Sequence, residues 1–238
     1  MRQAMPGRLV NVINAGVEGY TVREIGELVD RAIIPLRPKV VVIYPGFNDM
    51  ALICQASSDK DRPLLQPVVA PTLPSWVLTR ELISKNTLAL RETPVRAAKA
   101  DLRTQFPASY RQSLDSIVNK LKAAGIKPVL VTGARAFKPG DGAAGKRRAA
   151  TALFYNHCLD YKGLYEAGSL FNQTIADVAR SHGTALIDLG KLMPGGPKLF
   201  VDATHFTPAG EEFSSEVIYR ALVNDKTILK PDSLIESK

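Results

Sequence analysis

The sequence predicts an α/β fold in which a parallel sheet is covered by helices on both faces. Short β-branched runs alternate along the chain with stretches of helical periodicity, and one of these runs, Lys39–Tyr44, is apolar at nearly every position. A strand buried on both faces has this pattern, whereas a strand with one wet face alternates apolar and polar residues. In such sheets the ligand-binding loops follow the carboxyl ends of the strands.

The first part of the chain supplies two strands and a helix. Leu9–Ile13 is a short β-branched run and is predicted to be a buried strand. Thr21, with Glu24 three residues later, has the spacing of a capping box at the start of a helix. An apolar stripe continues this helix as far as Pro35, and Lys39–Tyr44 is the next strand.

The character of the chain changes at residues 51–105, which are rich in proline and mixed charge. We expect an irregular insertion with one or two short helices there. Beyond it, apolar residues at helical spacing predict a helix over Tyr110–Ala124. The remaining predicted elements are a strand at Pro128–Thr132, helices through 151–181, a strand at Ala185–Leu189 and a last helix over 208–222.

Composition excludes several classes of protein. The chain has 238 residues, 45% hydrophobic and 23% charged, which is a globular balance, and its length allows one large domain or two small ones. The longest apolar run is far short of the ~20 residues of a membrane span, so we expect no transmembrane segment. Cys54 and Cys158 neither imply a disulfide framework nor have metal-ligand spacing. The localisation and the oligomeric state stay open.

The basic charge is concentrated in one segment. The net charge is +8, and half of this excess lies in Ala134–Ala150, a glycine-rich stretch that we predict to be a loop. Its basic side chains could attract an anionic substrate or a membrane surface, or the segment could be a solvated loop without that role. The sequence has no nucleic-acid-binding motif, so we expect no specific nucleic-acid partner. The candidate substrate-binding residues are Arg135, Lys146, Arg147 and Arg148.

Three segments that follow strands or precede the last helix carry polar groups suited to chemistry: Asn14–Thr21, Gly46–Asp49 and Val201–Gly210. Each one taken alone is typical of a turn or a helix cap. All three, however, are predicted to lie on the same rim of one sheet. Their joint occurrence therefore favours a site over three unrelated turns.

The residue types in these segments suit acyl transfer. Asp202 lies three residues before His205, where it can hold one ring nitrogen and leave the other as a general base. The backbone N–H of Gly19 and the side-chain amide of Asn48 are neutral donors of the kind that stabilise a tetrahedral oxyanion. With three separated histidines and no clustered carboxylates, we expect no metal and no cofactor.

These blocks resemble those of the SGNH (GDSL-type) hydrolases, a family of serine esterases and acylhydrolases. The resemblance spans residues 8–222, apart from the insertion at 51–105, and it implies a single domain over 1–224 with a tail at 225–238. It implies a flavodoxin-like, three-layer α/β/α sandwich that hydrolyses a small-molecule or lipid ester: a lipid acyl chain, an acetylated sugar or a thioester. It also implies that Asp202 and His205 are the orienter and the base, and that Gly19 and Asn48 form the oxyanion hole.

One block of the family has no counterpart here. The nucleophile of the family lies in a Gly-Asp-Ser block ahead of a glycine block, which Asn14–Thr21 resembles, and no serine precedes Asn14. We therefore expect the first strand and the nucleophile to be missing, the domain to be truncated at its N-terminus, and the chain as given to be inactive. The alternative is a binding protein without catalysis, either a degenerate hydrolase or a binder of anionic ligands or nucleic acid.

Overall fold

The structure is a computed structural model that describes residues 10–57, 102, 108–156, 158–225 and 228. Its strands are β1 (Val40–Ile43), β2 (Lys127–Val131) and β3 (Ala185–Ile187). Its helices are α1 (Val22–Leu28), α2 (Ala51–Ser57), α3 (Ala108–Ala123), α4 (Gly142–Tyr155), α5 (Tyr161–Ser181), α6 (Leu189–Leu192) and α7 (Pro208–Asn224). None of these helices is long and apolar enough to cross a membrane.

The three strands form one parallel sheet in the order β1-β2-β3. Val42 pairs with Val129, and Leu130 pairs with Leu186, so the carboxyl ends of the strands meet at one edge. Helices occupy the connections between these strands, as the alternating pattern predicted. The structure therefore confirms the predicted α/β fold. In folds of this kind the binding site lies at the edge formed by the carboxyl ends of the strands.

The predicted strand at Leu9–Ile13 is wrong for its described part. Val10–Ile13 has no strand structure, and Val12 and Ile13 are 79% and 66% exposed. A strand exists through hydrogen bonds to a neighbour, and no strand of the described residues lies beside this run. The apolar pattern alone could not supply that partner.

The core is built around α3 and the sheet. The five residues predicted to form the apolar face of α3 are all at most 1% exposed. Each such side chain stabilises the fold by roughly 1.5–3 kcal/mol. They pack in one cluster with β2 and with Phe171 of α5. The face consists of Tyr110, Leu114, Ile117, Val118 and Leu121.

The predicted basic loop is also corrected. Its second half, from Gly142 on, forms helix α4 together with residues 151–155, and this helix carries Lys146, Arg147 and Arg148. We predicted a loop because the segment is rich in glycine and alanine. In the structure, Ala149 and Ala152 instead form a buried helix face of small residues. Small side chains let α4 pack closely against its neighbours.

A disulfide joins Cys54 of α2 to Cys158, which precedes α5. The two residues are 104 positions apart in sequence, and both are buried. Sequence reasoning had left this pairing open. The bond fixes α2, which directly follows the Gly46–Asp49 segment, to the N-terminal end of α5.

The insertion and the tail are described only at their margins. Helix α2 occupies the start of the predicted insertion, and residues 58–101 lie outside the described residues. Most of the tail at 225–238 also lies outside them. The predicted domain boundaries therefore stay predictions.

Candidate active site

Asp202 and His205 form a hydrogen-bonded pair. His205 Nδ1 lies 2.7 Å from Asp202 Oδ2, and Asp202 Oδ1 accepts the backbone N–H groups of Thr204 and His205, both at 2.9 Å. A carboxylate can only accept, so Nδ1 carries the proton and Nε2 keeps a lone pair in the neutral ring. Partial burial acts to raise the pKa of Asp202, but these hydrogen bonds outweigh it and hold the pKa below its usual value.

The loop that carries this pair is fixed on both sides. Val201 N donates to His205 O at 2.8 Å, and Phe200 forms an antiparallel bridge with Phe206. Thr207 caps α7 by accepting from Gly210 N at 3.1 Å. A Cβ on Gly210 would lie 2.0 Å from the Leu199 carbonyl oxygen, so only glycine fits there. The Thr-Pro-x-Gly run therefore anchors the start of α7 beneath the His205 loop.

Two contacts place the His205 loop at the carboxyl edge of the sheet. Ala136 N, beyond β2, donates to Ala203 O at 2.9 Å. The ring of Tyr44, directly after β1, stacks on Phe206 with centroids 6.4 Å apart. Because β1 leads through Tyr44 into the Gly46–Asp49 segment, two of the three predicted segments meet at this edge.

The other predicted donors lie in two segments that are hydrogen bonded to each other. Asn48 Nδ2 donates to Tyr20 O at 3.0 Å, which joins the Gly46–Asp49 turn to the end of Asn14–Thr21, the glycine loop. Gly19 has a φ of +80°, and a Cβ there would meet nothing within 4 Å. One N–H of the Asn48 amide is thus engaged with the glycine loop, and the amide has a second N–H to offer.

Gly46 is required by its surroundings. Its φ of +119° strains any L side chain, and a Cβ would lie 3.0 Å from the Tyr110 hydroxyl oxygen. The glycine lets the chain turn sharply after β1 and bring Asn48 and Asp49 against the start of α1.

Asp49 was not among the site residues predicted from the sequence. It is fully buried, and both its carboxylate oxygens accept from Val22 N, at 3.1 and 3.2 Å. Burial raises the pKa of Asp49 to about 6; the Val22 hydrogen bond opposes this shift and the charge of Glu24 adds to it. An acid next to Asn48 was the only signal in the sequence, and it did not reveal the partner 27 residues away.

In the described part of the chain, Asp202 is the hydrogen-bond partner of the His205 ring. No serine or threonine hydroxyl among those residues hydrogen bonds to His205 Nε2. The described residues also contain no group of three potential metal ligands. Of the other histidines, His182 pairs with Asp115 at 2.9 Å where α5 ends, and His157 lies outside the described residues.

The basic candidates are divided between protein contacts and solvent. Arg135 is packed over the Tyr165 ring, 4.2 Å from its centroid, and donates to Tyr165 O at 2.6 Å. Arg148 donates to Asp141 and to Ala136 O. Only Lys146 and Arg147 are free on the surface of α4. A role of these residues in binding an anionic ester stays a prediction.

Comparisons with known proteins converge on one group. The sequence profile of the GDSL-like lipase/acylhydrolase family matches residues 1–213. Similar solved structures include a catalytic mutant of the acetylxylan esterase Axe2 from Geobacillus stearothermophilus (TM-score 0.56, 14% identity, covering 93% of this chain and 76% of that one). No curated protein sequence matches.

Two further structures have the same fold. LAE5, an alpha/beta hydrolase enzyme from the metagenome of Lake Arreo in Spain, has a TM-score of 0.55 and 18% identity over 96% of this chain and 78% of that chain. A GDSL-like lipase from Bacteroides thetaiotaomicron has a TM-score of 0.53 and 16% identity over 89% and 75%. At these identities the likeness shows the fold alone.

Proposed function

This chain belongs to the GDSL-like lipase/acylhydrolase family, and from that premise we propose that Asp202 and His205 serve the hydrolysis of a carboxylic ester. The observation that carries the proposal is the hydrogen bond between His205 Nδ1 and Asp202 Oδ2. It leaves Nε2, on an exposed ring, as the basic atom, and this is the arrangement that a general base needs.

In the proposed reaction His205 Nε2 takes the proton from a serine hydroxyl as its oxygen attacks the ester carbonyl. The tetrahedral oxyanion accepts hydrogen bonds from Gly19 N–H and from the second N–H of Asn48, each donor contributing about 3 kcal/mol in comparable sites. His205 then returns the proton to the leaving alcohol as the C–O bond breaks. Water hydrolyses the acyl-enzyme by the same steps, and Asp202 stabilises the imidazolium throughout.

A second part of the proposal is that residues 1–238 alone turn over esters negligibly. In the family the nucleophile comes from a Gly-Asp-Ser block ahead of the glycine block, and no serine precedes Asn14. Without it, only the residual rate from the oxyanion hole and binding is left, several powers of ten below that of an intact enzyme.

For the substrate, an acetyl ester of a sugar is the first candidate. Two different proteins whose solved structures have this fold, Axe2 and AlAXEase, are named acetylxylan esterases, which supports a short acyl group on a carbohydrate. Lipid esters and thioesters are the competing classes, and the basic side chains that are free on α4, Lys146 and Arg147, would suit an anionic ester.

The test compares residues 1–238 with an extended version, to which an N-terminal strand carrying a Gly-Asp-Ser block has been added. The extended protein is expected to hydrolyse p-nitrophenyl acetate with a burst and to release acetate from acetylated xylo-oligosaccharides, whereas residues 1–238 should do neither. A reading frame closed by a stop directly before Met1, together with turnover by the short chain, would contradict the proposal.

A further inference from the structure

Two neighbouring side chains bind the end of the glycine loop, one as a hydrogen-bond donor and the other as an acceptor. Asn48 Nδ2 donates to Tyr20 O at 3.0 Å, and the Asp49 carboxylate accepts from Val22 N at 3.1 and 3.2 Å. Asn48 thus binds a backbone carbonyl of the glycine loop, and Asp49 binds the backbone amide two residues further along the same segment. The contact joins segments separated by 27 and 28 residues in sequence.

The rest of the glycine loop packs against the core through Ala15 and has few other contacts to fix it. Within the described part of the chain, the hydrogen bonds of Asn14–Gly19 stay inside the loop: Gly16 N donates to Asn14 Oδ1, and Val17 O accepts from Tyr20 N. Gly19 is exposed and has free space around its Cα. The position of its N–H therefore depends on how the residues just after it are anchored.

We propose that Asp49 is a positioning residue, whose carboxylate fixes the start of α1 and so sets the Gly19 N–H against the Asn48 amide as a pair of oxyanion donors. This inference rests on the proposed function, because it assigns those two donors to the same oxyanion. It adds a residue that touches neither the substrate nor the reacting atoms.

Helix capping alone does not explain a buried carboxylate at this place. The N-cap of α1 is already served by Glu24, whose carboxylate accepts from Thr21 N at 2.7 Å. Asp49 supplies a second acceptor, to the first amide of the helix, from a fully buried position. Burying an ionisable group is unfavourable, and buried ionisable groups are concentrated at functional sites.

The charge state of Asp49 gives the contact a pH dependence. The titratable groups that face it are Glu24 on α1 and Tyr110 on α3, and burial is the main cause that raises the pKa of Asp49 to about 6. Above this pH both oxygens accept. Below it one oxygen carries a proton, and the contact with Val22 N is weakened.

The first test measures the coupling of Val22 and Gly19 to Asp49 by NMR and does not depend on enzymatic activity. In the amide spectrum of residues 1–238, the resonances of Val22 and Gly19 are expected to shift together with a midpoint near pH 6, and both shifts should vanish in Asp49→Asn. The matched control is Asp30→Asn, which breaks the ion pair with Lys120 on α3 and should leave both titrations in place. If Val22 titrates and Gly19 does not, Asp49 caps the helix only, and the proposal is overturned.

The second test uses the extended, serine-containing protein. Asp49→Ala is expected to lower kcat at least tenfold with KM changed less than twofold, Asp49→Asn to restore part of kcat, and Asp30→Asn to leave both unchanged. An unaltered kcat in Asp49→Ala, in a protein that His205→Ala inactivates, overturns the positioning role and leaves the proposed function standing. Activity that survives His205→Ala overturns the proposed function, and this inference with it.

Discussion

His205 Nδ1 lies 2.7 Å from Asp202 Oδ2, and the side chain of His205 is 75% exposed. The chain has a second pair of the same kind, His182 with Asp115 at 2.9 Å, whose histidine side chain is only 18% exposed. The first pair lies at the carboxyl edge of the sheet and the second at the far end of α5. The His182–Asp115 pair is therefore an internal control for the role proposed for the His205–Asp202 pair.

Replacing Asp202 by Asn in the extended, serine-containing protein is expected to lower kcat by about 10²–10⁴-fold, because the amide favours the wrong ring tautomer. Hydrogen bonds hold the pKa of Asp202 below its usual value, so the carboxylate is ionised throughout about pH 5–9 and its own titration does not limit activity in that range. Steady-state kinetics measures this. Asp115→Asn is the control and should not change kcat; an equal loss in both variants would refute the assignment.

Asp49 should make the protein less stable as the pH rises from about 4 to 7. Its pKa is about 6 in the folded chain against 3.8 in the unfolded one, so the folded state binds more protons in that window. Ionisation of Asp49 then lowers the free energy of unfolding at neutral pH by at most about 3 kcal/mol. Asp49→Asn keeps an acceptor for Val22 N and should be more stable than the wild type at pH 8 but not at pH 4. Urea unfolding at both values tests this, and a variant less stable at pH 8 would contradict it.

The Cys54–Cys158 bond closes a long loop and should stabilise the fold strongly. For a loop of about 100 residues the chain-entropy model gives about 4–5 kcal/mol. We expect the double change Cys54→Ser, Cys158→Ser to lower the free energy of unfolding by up to that amount. Wild-type protein unfolded in the presence of dithiothreitol should match the double variant. Equal stability with and without the reductant would show that the bond contributes nothing.

Charge on α4 should affect anionic substrates alone. Changing Lys146 and Arg147 to Glu in the extended protein is expected to raise KM for an anionic ester and to leave KM for p-nitrophenyl acetate unchanged, because both side chains are free to attract the substrate. Arg148→Ala is expected to lower stability instead, since its guanidinium holds Asp141 at 2.6 Å and Ala136 O at 2.9 Å. Equal changes in KM for both esters would rule out electrostatic steering.

Local patterns in the sequence were sufficient for much of the fold. The face of α3 follows from helical periodicity, and the start of α1 from the Thr21 and Glu24 spacing, because each depends on residues within a few positions of one another. The Asp202–His205 contact is local in the same sense. What the sequence did not predict depends on distant partners: the disulfide, the Asp49–Val22 contact and the lack of a strand beside Val10–Ile13 among the described residues.

The prediction of a loop where helix α4 lies was wrong for a different reason. Its glycines and alanines were interpreted as loop residues because both are common in loops, and the basic residues around them suggested solvation. The buried Ala149 and Ala152 show that small size, not flexibility, is what this helix requires. Distinguishing the two needs the identity of the packing partner, which composition does not contain.

The most direct test of the central claim is labelling by a fluorophosphonate, which reacts only with an activated serine. The extended protein is expected to label at one serine in its Gly-Asp-Ser block, His205→Ala to lose the label and His182→Ala to keep it, while residues 1–238 should not label. Stoichiometric labelling of residues 1–238 at one of their own serines, or labelling that survives His205→Ala, would contradict the account.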